Sequence, residues 1–293
     1  MSIWLTVAQE ISAVTGKRFV PGAIRTQGSP LNATAVLDDG ERAFFVKCHD
    51  AGRLAMFEAE AAGLEALAGA CALPVIRPVC SGLSGERAFL VLEYRTLEAR
   101  NDAIDADLGR GLARLHALHG SRFGWHRNNT IGTNPQSNEP MDEWPAFFGQ
   151  RRLVPQLRLA AGLGYQGRLQ ELGEALLTRL PALFAGYTPA ASILHGDLWS
   201  GNAAACDGHP IVYDPAVYYG DRETDLAMTE LFGGFSPDFY SAYAAAYPLD
   251  KGYQVRKTLY NLYHVLNHLN LFGGGYLSQA ERMMARLLAE VGG

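Results

Sequence analysis

The period of the hydrophobic pattern changes once along the chain, and that change limits the folds open to it. Two apolar runs, Ala33–Leu37 and Ala43–Lys47, flank the turn sequence Asp38-Asp39-Gly40, which is the composition of a β-hairpin. Residues 53–68 then carry apolar side chains at helical spacing, and Pro74 and Pro78 stop that helix before the strand-like run Ala88–Leu92. From Asp107 onward the spacing is helical, over residues 107–118, 169–180, 253–271 and 279–291. One short β region interrupts it, formed by Ser192–His195 and Pro210–Tyr213 with Gly208 at the turn. The architecture expected is α+β and bilobal: a small β-rich N-lobe over residues 1–95 and a larger helical C-lobe over 96–293, joined through Glu93–Arg100.

Composition excludes some functions. With 48% hydrophobic and 19% charged residues the chain has ordinary globular content, and at 293 residues it can bury a sizeable core. A net charge of -5 gives no basic field to hold DNA or RNA, so no nucleic-acid partner is expected. The first residues, Met1–Lys17, mix Gln9, Glu10 and Ser12 into their apolar positions, which is not the pattern of a signal peptide. No run reaches the roughly eighteen apolar residues that a membrane span needs, so no membrane association is expected. Cys48, Cys71, Cys80 and Cys206 are scattered without a C-x-x-C pair, which suggests neither a zinc site nor a disulfide framework and points to the reducing cytoplasm.

Chemistry concentrates in His195-Gly-Asp-Leu-Trp-Ser-Gly-Asn202 and the following Ile211-Val-Tyr-Asp214. Phosphoryl transfer needs a carboxylate to orient and deprotonate the attacking hydroxyl, and hard oxygen ligands that hold a divalent cation against the phosphates. An Asp, an Asn five positions later and an Asp after a short β-ribbon supply all three. Asp197 is the candidate base, with Asn202 and Asp214 on the metal. The interval from Asp197 to Asn202 matches the protein-kinase loop H-R-D-x-x-x-x-N, with Gly196 where that loop has Arg. Any single Asp or Asn more commonly caps a turn; here order, spacing and strand context coincide. His195 reads as a brace for the loop and not as a reacting group.

At the nucleotide end, Lys47 closes an apolar strand as the Lys of V-A-I-K does in kinases. On a wheel of about 100° per residue counted from Leu54, Phe57 falls near 300°, Leu64 near 280°, Leu67 near 220° and Glu60 near 240°. Glu60 therefore shares the buried face and is the expected partner of Lys47, because a carboxylate on that stripe needs a cation. Glu58 and Glu65 fall near 40° and 20°, as solvated charges. Glu93 stands where the backbone of an interlobe hinge meets an adenine ring. Gln27-Gly28-Ser-Pro-Leu-Asn32 reads by itself as a plain turn, with Gly28 as its one candidate for covering phosphates.

The chain resembles the fructosamine kinase (ketosamine kinase) family, a branch of the protein-kinase-like fold related to aminoglycoside and choline phosphotransferases. The resemblance runs over nearly the whole chain and rests on Leu194–Asn202, Tyr213-Asp-Pro-Ala216, Tyr218-Tyr-Gly-Asp-Arg-Glu223, Asp225-Leu-Ala-Met228 and Phe232-Gly-Gly-Phe235. Asn129-Thr-Ile-Gly132, Pro135-Gln136, Asn138, Trp144-Pro145 and the Phe147–Leu153 stretch match as well. The chain departs from the family at Gln27-Gly-Ser-Pro, where members commonly carry a Gly-Gly pair. The resemblance implies ATP and Mg²⁺ as cofactors and phosphorylation of a sugar hydroxyl on a ketosamine, free or protein-bound. It also implies a role in deglycation, since the phosphorylated adduct is less stable. Trp199, between base and metal ligand, is placed either to stack on the sugar or its amine or simply to pack. An aminoglycoside- or choline-type phosphotransferase and a nucleotide-binding pseudokinase are the alternatives; the intact set Lys47, Asp197, Asn202 and Asp214 argues against the second.

Overall fold

The computed structural model describes residues 3–28 and 33–292. Its N-terminal part is a five-stranded antiparallel sheet in the order β1-β2-β3-β5-β4, built from β1 (Ala23–Gly28), β2 (Ala33–Asp38), β3 (Ala43–Asp50), β4 (Pro78–Ser84) and β5 (Arg87–Glu93). Side chains alternate across this sheet, as the period-2 pleat requires. Phe44, Val46, Cys48, Phe89 and Val91 face helix α1 (Ile3–Thr15), which contributes Val7, Ala8 and Ile11 to a separate small core. Leu90 and Leu92 point the other way, into the main core with Phe57, Leu64 and Leu67 of α2 (Leu54–Gly69). Lys47, one residue on from Val46, is thereby carried to the cleft side.

The remainder is mostly helical, as expected: α3 (Asp102–His116), α4 (Trp144–Phe148), α5 (Val154–Gly162), α6 (Arg168–Arg179), α7 (Glu223–Leu231), α8 (Pro237–Ala246), α9 (Tyr253–Phe272) and α10 (Leu277–Glu290). Three two-stranded ribbons join them: β6 (Asn129–Ile131) with β7 (Asn134–Gln136), β8 (Ser192–Leu194) with β11 (Tyr218–Gly220), and β9 (Ala203–Cys206) with β10 (His209–Val212). The two parts meet where the loop ahead of β4 pairs with β10, Val212 N–H donating to Pro74 O and Ile76 N–H to Val212 O, both at 3.1 Å. Among the described residues no helix is long and apolar enough to cross a membrane.

Several elements differ from the sequence reading. Ser192–Leu194 and the strand at 209–212 belong to different ribbons. The partner of β10 is the Ala203–Cys206 run, too uniform to show a period, and the turn at Asp207-Gly208 has positive φ at both residues (51° and 77°), the conformation that suits a two-residue hairpin. Helix α3 begins at Asp102, five residues before the apolar spacing becomes regular, because the Asn101 side chain caps it by accepting from Ile104 N–H at 3.0 Å. Strand β1 is exposed throughout and so carries no apolar pattern to read. Gln27 and Gly28 end that strand instead of forming a turn, and the rest of the expected turn, residues 29–32, lies outside the described residues.

Candidate active site

The loop after β8 is held by its backbone. Asp225, in the first turn of α7, accepts from His195 N–H and Gly196 N–H, each at 2.8 Å, and lies 3.1 Å from His116 Nε2. Burial pushes the Asp225 carboxyl up, but His116 and these backbone donors outweigh it and hold it below the usual range. Gly196 has φ +83°, and a Cβ there would collide with the Ala216 carbonyl, so the position where protein kinases carry Arg accepts only glycine here. His195 is buried and neutral, burial lowering its pKa. Its Nε2 lies 3.0 Å from Tyr213 O and its Nδ1 3.3 Å from Asp197 N–H, so the tautomer that satisfies both contacts carries its proton on Nε2. His195 thus links the two halves of the site, the bracing position its sequence context suggests.

Asn202 donates from Nδ2 to Asp197 O at 2.9 Å, with Asp197 Oδ2 and Asp214 O at 3.3 Å. With the amide nitrogen engaged this way, its Oδ1 is the atom left to act as a ligand. Asp214 has φ +54°, a left-handed conformation that Asp tolerates better than most residues but that still costs about 1–3 kcal/mol. Lys47 Nζ lies 2.7 Å from both Glu60 Oε1 and Asp214 Oδ1. Burial opposes the Lys47 charge, yet the two carboxylates outweigh it and raise its pKa. Asp197 is surrounded differently. Burial, reinforced by the Asp214 and Asp225 charges and only partly offset by Asn202, pushes its carboxyl up to about 7. Asn202 and Asp214 offer two hard oxygens beside this crowded negative charge, a donor set that could hold a hard divalent cation.

Two cavities open on these groups and share Thr34, Lys47 and Asp214. The larger, about 510 Å³, is an apolar slot between Val36, Phe45, Ile76, Leu92 and Tyr213 that ends at Glu93. Glu93 N–H is engaged by Arg77 O at 2.9 Å, while its carboxylate takes Arg77 N–H at 3.0 Å and Arg95 Nη2 at 2.9 Å. The smaller, about 330 Å³, holds Asp197, Asn202 and Glu60. Trp199 stands at its wall 40% exposed, its indole resting on Gly201. Gly28 lines neither cavity. Glu65 is exposed as expected, but Glu58 is not simply solvated: Arg127 reaches its carbonyl at 2.9 Å and its carboxylate at 3.3 Å.

Sequence reasoning assigned no role to Thr130 and Thr133 of the β6–β7 ribbon, to Met56, or to Tyr213, all of which line the cleft. Thr130 and Tyr213 fall inside stretches that match the family, but no periodicity marks any of the four; the ribbon is held at the site by Asn129 Nδ2 donating to Val217 O at 2.9 Å, Gln136 Nε2 to Ala216 O at 3.3 Å and Arg53 Nη1 to Thr133 O at 3.3 Å.

The "Fructosamine kinase" family pattern matches residues 3–290. A Synechocystis protein named a probable ketoamine kinase is 45% identical over 288 residues, covering 97% of each chain. The chloroplastic protein-ribulosamine 3-kinase of Arabidopsis thaliana is 37% identical over 257 residues, 86% of this chain and 78% of that one. A crystal structure from Haemophilus somnus, provisionally named a fructosamine-3-kinase, superposes with a TM-score of 0.90 at 27% identity over 97% of both chains.

Proposed function

The chain belongs to the fructosamine kinase family, and from that premise we propose that it transfers the γ-phosphoryl group of ATP to a sugar hydroxyl of a ketosamine. The observation that carries this reading is the convergence of Lys47, Asp197, Asn202 and Asp214 on two adjoining cavities. In it the adenine ring enters the slot between Val36 and Leu92, past Glu93. Lys47, oriented by Glu60, holds the phosphates. Mg²⁺, when bound, neutralises charge developing on the transferred group, and Asn202 Oδ1 with Asp214 would hold it. Asp197 accepts the proton of the attacking hydroxyl, and the exposed face of Trp199 stacks on the sugar or its amine. The N-lobe would end near residue 95, so that nucleotide and acceptor meet between the lobes. Deglycation in the cytoplasm is the setting we infer, in keeping with four free cysteines.

The test is an ADP-release assay across ribulosamines, fructosamines and aminoglycosides with ATP and Mg²⁺. Turnover on a ketosamine is expected. Turnover confined to aminoglycosides would assign a different acceptor, and none on any substrate despite nucleotide binding would make the chain a pseudokinase.

A further inference from the structure

The proposed metal ligand Asn202 sits on a short stretch whose backbone is gripped by one buried guanidinium. Arg100, immediately before the Asn101 cap of α3, has a side chain only 9% exposed. Its Nη1 donates to Ser200 O at 3.2 Å and to Ala203 O at 2.5 Å, the carbonyls on either side of Gly201-Asn202. Its Nη2 donates to Gly234 O at 2.6 Å, and its guanidinium carbon lies 4.6 Å from the centre of the Phe235 ring. Asp105 fixes the guanidinium by accepting from Nε at 2.6 Å, while its other oxygen accepts from Ser236 N–H at 2.7 Å. The two loops also touch directly: Gly234 has φ +91°, and a Cβ there would meet the Ser200 Cβ at 2.6 Å.

We propose that Arg100 is a positioning residue for phosphoryl transfer: by holding the carbonyls that flank Asn202, it sets where the Asn202 amide stands against Asp197 and Asp214. This rests on the reading of Asn202 as a metal ligand. Three carbonyls from two loops and one carboxylate need a planar fork with several fixed donors, which only arginine provides; a lysine ammonium is a single point charge on a flexible stem. Misplacement of a catalytic group by about 1 Å costs on the order of 10²-fold in rate.

The decisive variants are Arg100→Lys and Asp105→Asn, with Asn202→Ala as control. Hydrogen exchange on the ligand-free protein should speed up in Arg100→Lys on the order of tenfold for the amides of residues 199–204, rise also in the adjoining loop at 234–236, and stay unchanged elsewhere. Turnover should fall on the order of 10²-fold. In nucleotide-binding calorimetry the Mg²⁺ needed for half-saturation should rise, with metal-free nucleotide affinity unchanged. Asp105→Asn should show the same pattern more weakly, and it decides the matter if Arg100→Lys does not fold. The proposal is overturned if both variants lose activity only in proportion to folded protein, with exchange at 199–204 and the Mg²⁺ titration unmoved. If Asn202→Ala shifts the titration and Arg100→Lys does not, Arg100 alone loses its role. If Asn202→Ala leaves the titration unchanged, the metal reading falls and takes this proposal with it.

Discussion

At the residue scale the site divides into groups that act and groups that hold them. Among the described residues no cation pairs with Asp197, while Asp214 and Glu60 share Lys47. Asp197→Asn should therefore lower turnover by about 10² to 10⁴ while leaving ATP affinity nearly unchanged, since a general base acts on the hydroxyl and not on the nucleotide. Turnover close to wild type would remove Asp197 from the chemistry. Lys47 and Glu60 form one unit, so Glu60→Gln should impair catalysis much as Lys47→Met does, and the double variant should be far better than the product of the two losses. Glu58→Gln should be nearly silent, because its contact with Arg127 at 3.3 Å is a half-exposed pair worth about 0.2–1 kcal/mol. Strictly additive losses in the cycle would leave Lys47 as a solitary phosphate contact.

Among the elements, α2 is the one that carries Glu60 to Lys47. Its Gly63 faces the segment after Asp214, where a Cβ would lie 3.1 Å from Val217 Cγ2 and 3.6 Å from Pro215 Cγ. A single methyl costs a small adjustment and gains about 1 kcal/mol of helix propensity, so Gly63→Ala should keep activity and stability near wild type. Gly63→Leu must push α2 away from Val217, which separates Glu60 from Lys47. It should lower turnover about as much as Glu60→Gln and cost about 1–3 kcal/mol in chemical denaturation. Full activity in Gly63→Leu would mean that the position of α2 is not limiting. The start of α3 is fixed in a comparable way, by Asn101 at its cap and Arg100 just before it.

On the scale of the whole molecule, the cleft is walled by the sheet and α2 on one side and by the segments carrying Asp197 and Asp214 on the other, so a ligand there stabilises both. At about 100 times its dissociation constant, ATP with Mg²⁺ should add about 2.7 kcal/mol, read as a rise in melting temperature. EDTA should remove the metal-dependent part of that rise, and Asp214→Ala should lack it even with Mg²⁺ present. An equal rise in Asp214→Ala would take that carboxylate off the metal. A loss of stability in acid is expected from a separate source. His264 is buried, and burial lowers its pKa to about 3. Its unfolded counterpart takes up a proton near 6.5, so the unfolded state binds more protons in that window and stability falls as pH drops from about 6.5 towards 3. The slope approaches about 1.4 kcal/mol per pH unit. His264→Gln should flatten that limb of the stability profile, and an unchanged slope would place the lability in other groups.

What the sequence by itself determined is what local spacing can encode. Asp197 and Asn202 lie five residues apart on one loop, Lys47 follows an apolar run whose alternation dictates its face although the strand continues to Asp50, and Glu60 falls on the buried arc of a helix whose angle per residue is fixed. The long helices over 253–272 and 277–290 were legible for the same reason, since a buried stripe repeats along them. Tertiary structure alone decided contacts between segments far apart in the chain. The pairing of β8 with β11 instead of with 209–212, the reach of Thr130 and Thr133 into the cleft, the seating of Asp225 under His195 and Gly196, and the grip of Arg100 on Ser200 and Ala203 leave no periodic trace. They join residues 24–103 positions apart, and each involves a backbone group, which has no residue identity for a sequence to display.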